Sequence, residues 1–206
     1  MDAIKRTIVY IDGFNLYFAM IEAGWRKYLW LDIHKFATTL IPSETRLEHV
    51  KYFTSRISGS QAKQKRQTAI IDANDLNPGT MFRYGNYQSI PYECRKCGHV
   101  YSKHQEKKTD VNIATEMLVD GFLERYDYAV LVSEDSDLVG PLEAIKTHLT
   151  SKHIHLAFPP GRFSHALRAK CHTFSVIKEA SFSASQLPEE VVMPNGHVLR
   201  RPESWW

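Results

Sequence analysis

Cysteine is scarce in this chain, with three residues among 206. A sparse, odd thiol count argues against a disulfide framework and for a reducing compartment, so a cytoplasmic protein is expected. No apolar run approaches the roughly 20 residues needed to span a bilayer. The amino-terminal apolar stretch is interrupted by Asp12 and Asn15 and lacks a small-residue cleavage pattern. Neither a membrane partner nor secretion is therefore expected. No G-x-G-x-x-G follows the first apolar run, which disfavours dinucleotide binding. Phe14 stands where a dehalogenase-type phosphatase needs its second aspartate. Charge excess is small as well: 26 Lys plus Arg against 23 Asp plus Glu leave +3, too little by itself to argue for nucleic acid. Internal repeats and low-complexity tracts are missing.

What is present is enough apolar material, 43% of residues, for one sizeable core. Short β-branched runs alternate with helical patterns, as βαβ units do. The strands are expected near Thr7–Ile11, Val50–Ser55, Met81–Tyr87 (an edge), Tyr128–Val132, His153–Phe158 and Thr173–Ile177. The helices fall at about Phe14–Glu22, Ile33–Leu40, Gln61–Asn74, from Asp110 onward, Leu138–Leu149 and Phe163–Ala169. This is an α/β fold with a central, mostly parallel sheet flanked by helices. Residues 1–180 form the expected domain, with residues 92–106 as a cysteine-containing insertion. Residues 181–206 read as an irregular tail with Pro188, Pro194, Gly196 and Pro202. Two terminal tryptophans are wasteful in water, so the tail is expected to dock on the domain, on a protein partner or on a second copy.

Two strands end in the same way. Ile8–Ile11 runs apolar on both faces and stops at Asp12-Gly13, with Asn15 in the following turn; Ala129–Val132 stops at Ser133 and then meets Asp135 and Asp137. In open α/β sheets chemistry sits outside the carboxyl ends of the strands. A third acid, Asp110, heads a helical stripe through Ala114, Met117, Leu118 and Gly121, with Thr109 as its expected cap. A carboxylate there is costly to bury without a cation or donors. Each acid alone reads as a cap or turn residue, but three positions at one end of one sheet point to a divalent-metal site. Hard cations prefer oxygen ligands, so Mg²⁺ or Mn²⁺ is expected on Asp12, Asp110, Asp135 and Asp137. Glu116 falls off the buried stripe, on a polar face with Asn112, Asp120 and Glu124, and is expected to be solvated.

Three motifs, Ile11-Asp12-Gly13-Phe14-Asn15, Lys107-Lys108-Thr109-Asp110-Val111-Asn112-Ile113-Ala114 and Ser133-Glu134-Asp135-Ser136-Asp137-Leu138, together resemble the NYN family of PIN-like nucleases. The likeness runs from about residue 5 to 180. Glu134 and Leu138 replace a usual glycine and phenylalanine, and His172 replaces a later acid. The resemblance implies a Rossmann-like PIN fold and a metal-dependent ribonuclease acting on single-stranded or structured RNA, by endonucleolytic cleavage. Asp12, Asp110, Asp135 and Asp137 would then be catalytic. Asn15 and Ser133 would orient a carboxylate, a water or a phosphate oxygen, and Lys107 or Lys108 would steady the scissile phosphate. Other candidate phosphate contacts are Lys63-Lys65-Arg66, Arg95-Lys96, Lys103 and Arg162-Arg168. A metal-binding but catalytically weak nucleic-acid module, a DNA nuclease and a metal-dependent phosphatase are the alternatives. Glu134, crowding the strand end, speaks for the first of these.

Cys94-Arg95-Lys96-Cys97-Gly98 has the form of a zinc knuckle. It supplies half of a tetrahedral site, with His99 and His104 as the nearby completions and Cys171 and His172 as remote ones. A structural zinc retained through a mild chelator wash is the expectation.

Overall fold

In the computed structural model the main chain is described from residue 4 to 205, and the side chains of residues 87–91 and 101–107 lie outside the described set. Six strands form one sheet: β1 (Lys5–Asp12), β2 (Thr45–Thr54), β3 (Thr80–Tyr84), β6 (Tyr128–Val132), β7 (His153–Phe158) and β8 (Thr173–Val176). Their spatial order is β3-β2-β1-β6-β7-β8, and each neighbouring pair is parallel. The chain thus winds outward from β1 in one direction and from β6 in the other. The seam between β1 and β6 is where a doubly wound sheet opens a crevice.

Apolar residues on both faces of β1 are what make it central. Ile8 and Tyr10 point into a core with Leu131, Ile113 and Met117, whereas Val9 and Ile11 point into a second core with Leu16, Trp30 and Phe36. Helices α1 (Gly13–Glu22), α2 (Ile33–Thr38) and α3 (Gln61–Asp75) serve the second core; α4 (Thr109–Phe122), α5 (Val139–His148) and α6 (His165–Lys170) serve the first. Strand alternation divides the side chains between the two layers.

Gly13 is sterically required at the turn from β1 into α1. A Cβ there would lie 2.4 Å from a ring carbon of Tyr52 and 2.7 Å from the Phe53 carbonyl oxygen. Gly13→Ala is expected to cost about 1–3 kcal/mol, as overpacking does, and to displace Asp12 beside it. A denaturation midpoint unchanged from wild type would contradict this.

The cysteine-containing stretch is more ordered than an insertion loop. It forms an antiparallel hairpin of β4 (Asn86–Glu93) and β5 (Val100–Lys107), separate from the main sheet. Residues 181–206 also differ from an irregular tail. Helix α7 (Glu179–Ser183) is followed by the hairpin of β9 (Glu190–Val192) and β10 (Val198–Arg200). Phe182 is buried against Phe36, with ring centroids 4.8 Å apart, and Trp205 packs on Trp30 at 6.3 Å. The Trp30 indole N–H donates to the Pro188 carbonyl at 2.7 Å. Trp205 is thus docked on the domain itself, while Trp206 lies outside the described residues. Among the described residues no helix is long and apolar enough to cross a membrane.

Candidate active site

Asp12 is both the last residue of β1 and the N-cap of α1. Its Oδ1 accepts the Asn15 backbone N–H at 3.0 Å. Its Oδ2 accepts the Ser133 hydroxyl at 3.2 Å, and that same hydroxyl accepts the Asp135 N–H at 3.0 Å. One buried serine therefore ties the ends of β1 and β6 together and fixes two acids at once. Ser133 has no exposed surface, so it orients Asp12 rather than meeting a substrate. The Asn15 side-chain carbonyl accepts the Glu134 N–H at 3.3 Å, a second strap across the same seam.

Asp110 arrives from the head of α4. Carboxylate oxygens of Asp110, Asp135 and Asp137 lie within 4.8 Å of one another, a group that could hold a metal ion. Burial and then the negative charges of Asp135 and Asp137 push the Asp110 carboxyl above its ordinary pKa. Asp137 is exposed, and its N–H donates to Asp135 Oδ1 at 2.9 Å. Asp12 stands outside this triad but lines the same cavity of about 330 Å³ with Asn15, Thr109, Asp110 and Asp135. The four sequence-derived acids are thus gathered at one end of the sheet, three as a cluster and Asp12 beside it.

Lys108, not Thr109, is the N-cap of α4, and it takes a left-handed conformation at φ 77°. A lysine there carries backbone strain of about 1–3 kcal/mol, at the junction between β5 and the helix bearing Asp110. Thr109 is instead the first, buried residue of the helix. Lys108 is exposed beside the cavity; the side chains of Lys107 and Lys103 lie outside the described residues.

Glu134 does not crowd the acids. It is held by Arg162, which also bonds Glu22 at 2.6 Å. Arg162 lines the cavity rim and links α1, the β6 loop and the segment after β7. Sequence alone marked it only as one of several basic candidates.

Glu116 is a correction. Rather than being freely solvated, it is half-buried and paired, accepting from Lys51 at 2.6 Å and pairing with Arg83. Asp120, on the same face, is 1% exposed and takes Lys51 at 2.5 Å, the Tyr10 hydroxyl at 2.7 Å and Arg125 at 3.1 Å. Burial raises the Asp120 carboxyl, but its bonds from Lys51 and Tyr10 outweigh that and hold it below its ordinary range. A helical wheel shows Glu116 and Asp120 as one polar face; it cannot show a lysine on β2 buried beneath them.

At the hairpin tip the chain turns with Cys94 N–H donating to His99 O at 2.9 Å and Gly98 N–H to Cys94 O at 2.8 Å. Backbone amides of Lys96 and Cys97 and then the Cys97 thiol bond to the Cys94 sulfur and lower its pKa. Among the described residues no third ligand joins Cys94 and Cys97; His99 is exposed nearby without forming such a group. The side chain of His104 lies outside the described residues. Its main chain pairs with Ser89, five residues before Cys94, or roughly 17 Å along the hairpin at the usual rise. Contiguity in sequence thus misled: the strand carries residue 104 away from the tip. Cys171 is buried beside α6, where burial raises its thiol pKa, and His172 stacks on His153 at 4.7 Å. Among the described residues neither joins a metal-holding group.

The chain is 26% identical to 6-hydroxy-3-succinoylpyridine 3-monooxygenase of Pseudomonas putida, over 98% of its own length and 75% of that protein. A Vibrio parahaemolyticus protein of unknown function has a similar crystal structure, with a TM-score of 0.57 at 20% identity, covering 87% of this chain and 96% of that one. That likeness concerns the fold alone. The sequence model of the NYN domain matches residues 6–178, the span that carries every acid of the site, and the chain belongs to this family of PIN-like nucleases.

Proposed function

We propose that this protein is a metal-dependent ribonuclease, an endonuclease that hydrolyses RNA phosphodiester bonds at the Asp12, Asp110, Asp135 and Asp137 site. The observation that carries this reading is the convergence of Asp110, Asp135 and Asp137 beside Asp12 at the β1–β6 seam. An all-carboxylate donor set suits Mg²⁺ or Mn²⁺. Burial first, and the charges of Asp135 and Asp137 next, raise the Asp110 pKa, a penalty that a bound cation would offset. When bound, a divalent ion supplies the Lewis acidity for in-line displacement by water at phosphorus. The chain's own groups do the rest. Ser133 and the Asn15 N–H fix Asp12, Arg162 holds Glu134, and Lys108, at the head of α4, is the group proposed to steady a phosphate. RNA is favoured over DNA on the family's behaviour, and a reducing cytoplasmic setting fits the free cysteines.

The test is incubation with labelled RNA and DNA under Mg²⁺, Mn²⁺ or chelator. RNA is expected to be cut with either ion, DNA more slowly, and neither in chelator. Intact RNA under all conditions would remove the reading. A second reading, oxygenation of a hydroxylated acylpyridine, is supported by the Pseudomonas relative, a 6-hydroxy-3-succinoylpyridine 3-monooxygenase. Oxygen consumption with that substrate and a nicotinamide reductant, the source of the two electrons a monooxygenase needs, would favour it over RNA cleavage.

The Cys94–Cys97 turn is proposed as half of a structural zinc site. Zinc held by two thiolates without a closed tetrahedron is labile, so a mild chelator wash is expected to leave well under about one zinc per chain. Full retention in elemental analysis would mean that further ligands, His99 among them, close the site.

A further inference from the structure

Beside the acidic cavity lies a second, more enclosed one of about 380 Å³, and the two share the rings of Phe14 and Phe18 as a common wall. Its chemistry is the opposite of its neighbour's. Tyr52 and Trp205 add two more aromatic faces, Lys63 and Arg66 bring positive charge from α3, and no acid lines it. Among the described residues neither Lys63 nor Arg66 is in an ion pair, whereas Arg162 on the acidic side has two. Phe18 is 50% exposed on α1, though the apolar core lies on that helix's other face. The Ser58-Gly59-Ser60 loop at the amino end of α3 closes one side, and Trp205 closes another.

We infer that this cleft holds one nucleotide of a single-stranded RNA, its base against Phe14, Phe18, Tyr52 and Trp205 and its phosphate on Lys63 and Arg66. The inference rests on the nuclease reading and gives it a strand preference. Aromatic faces are sequence-tolerant stacking platforms, and they are reached only by a base already out of a duplex. A cavity of this size, mostly apolar with a few convergent polar groups, suits a flat ring bearing an anion. The shared Phe14–Phe18 wall places that nucleotide next to the phosphate presented to the acids. A long duplex would keep its bases stacked inward and leave the cleft unfilled. Trp205 comes from beyond residue 178, so the segment outside the matched family span contributes this platform.

Calorimetric titration in chelator tests binding apart from catalysis. The probes are adenosine 5′-monophosphate, adenosine, ribose 5-phosphate, 4-hydroxybenzoate, a single-stranded hexamer of riboadenylate and a long G·C-rich RNA duplex. The monophosphate and the single-stranded hexamer are expected to bind saturably. Adenosine and ribose 5-phosphate, each lacking one half of the recognised group, should bind at least about tenfold more weakly. Lys63→Ala with Arg66→Ala should weaken the monophosphate by about tenfold or more and flatten its salt dependence. Phe18→Ala, at a half-exposed position that does not endanger the fold, should weaken the hexamer similarly. Absence of nucleotide binding, equal binding of the duplex, or tighter binding of 4-hydroxybenzoate than of the monophosphate would each overturn the inference. Because chelator silences the acidic site, nucleotide binding without RNA cleavage in Mg²⁺ would defeat the nuclease reading alone. Cleavage without binding in the cleft would defeat this inference alone.

Discussion

Asp110→Asn is expected to abolish metal-dependent cleavage while making the metal-free protein more stable. Groups that merely support a metal ligand are worth about 10–100-fold in activity or affinity, so a carboxylate inside the Asp110–Asp135–Asp137 cluster should cost at least about 100-fold. Stability moves the other way. The Asp110 pKa is raised by burial first and by Asp135 and Asp137 next. A carboxyl with a raised folded-state pKa contributes stability below its ordinary pKa and loses it as pH rises through the raised value. Near neutral pH the ionised group is therefore a liability in the absence of a cation. Removing it should raise the Tm of the metal-free protein. The wild-type deficit should vanish as pH is lowered through the Asp110 titration, and also when Mg²⁺ or Mn²⁺ is added. Wild-type turnover in the variant would take Asp110 out of the mechanism; a lowered Tm without metal would show that its charge is already compensated. Asp135→Asn should match it in lost activity.

Lys51→Met should produce the largest loss of stability in the protein. Lys51 is 5% exposed on β2 and bonds both Glu116 and Asp120, the latter 1% exposed. Removing Lys51 leaves buried Asp120 with the half-exposed Arg125 and the Tyr10 hydroxyl, and Glu116 with Arg83; loss of one partner from such a buried network costs up to about 3–5 kcal/mol. For a chain of this size that is on the order of 10 °C in Tm. The Asp120 pKa is depressed in the folded protein. Its contribution is thus present above the ordinary carboxylate value of 3.8 and is lost as pH falls through the lower, folded-state value. In the variant Asp120 would instead hold its proton to higher pH, so its deficit should shrink as pH falls toward the ordinary carboxylate value of 3.8, where wild type is little changed. Lys51→Met combined with Asp120→Leu should regain much of the loss, since apolar replacement of a whole buried pair is often close to neutral. Thermal denaturation of the three variants across pH decides this; a Lys51→Met midpoint within about 2 °C of wild type would mean that the network adds little. The network bears on activity because it pins α4, and Asp110 is the second residue of that helix.

The sheet and the positions of its acids are legible in local residue patterns. Ile8–Ile11 and Ala129–Val132 are apolar on both faces, which only a covered central strand satisfies. The first polar residues after such strands fall at their carboxyl ends, where a doubly wound sheet opens its crevice. Asp12, Ser133, Asp135 and Asp137 were therefore legible from local pattern, and Asp110 from the helix it heads. Tertiary structure alone decided what depends on elements distant in the chain. Glu116 and Asp120 appear solvated until β2 brings Lys51 beneath them, 65 and 69 residues away in sequence. Glu134 appears intrusive until Arg162 reaches it from beyond β7. His104 lies close to Cys97 in sequence, yet strand register removes it from the hairpin tip. The aromatic and basic cleft draws on α1, β2, α3 and the last turn of the chain, four segments whose spacing carries no common period. Periodicity reports which face of one element is buried. It cannot report which charge or ring another element will set against that face, because long-range packing selects those neighbours.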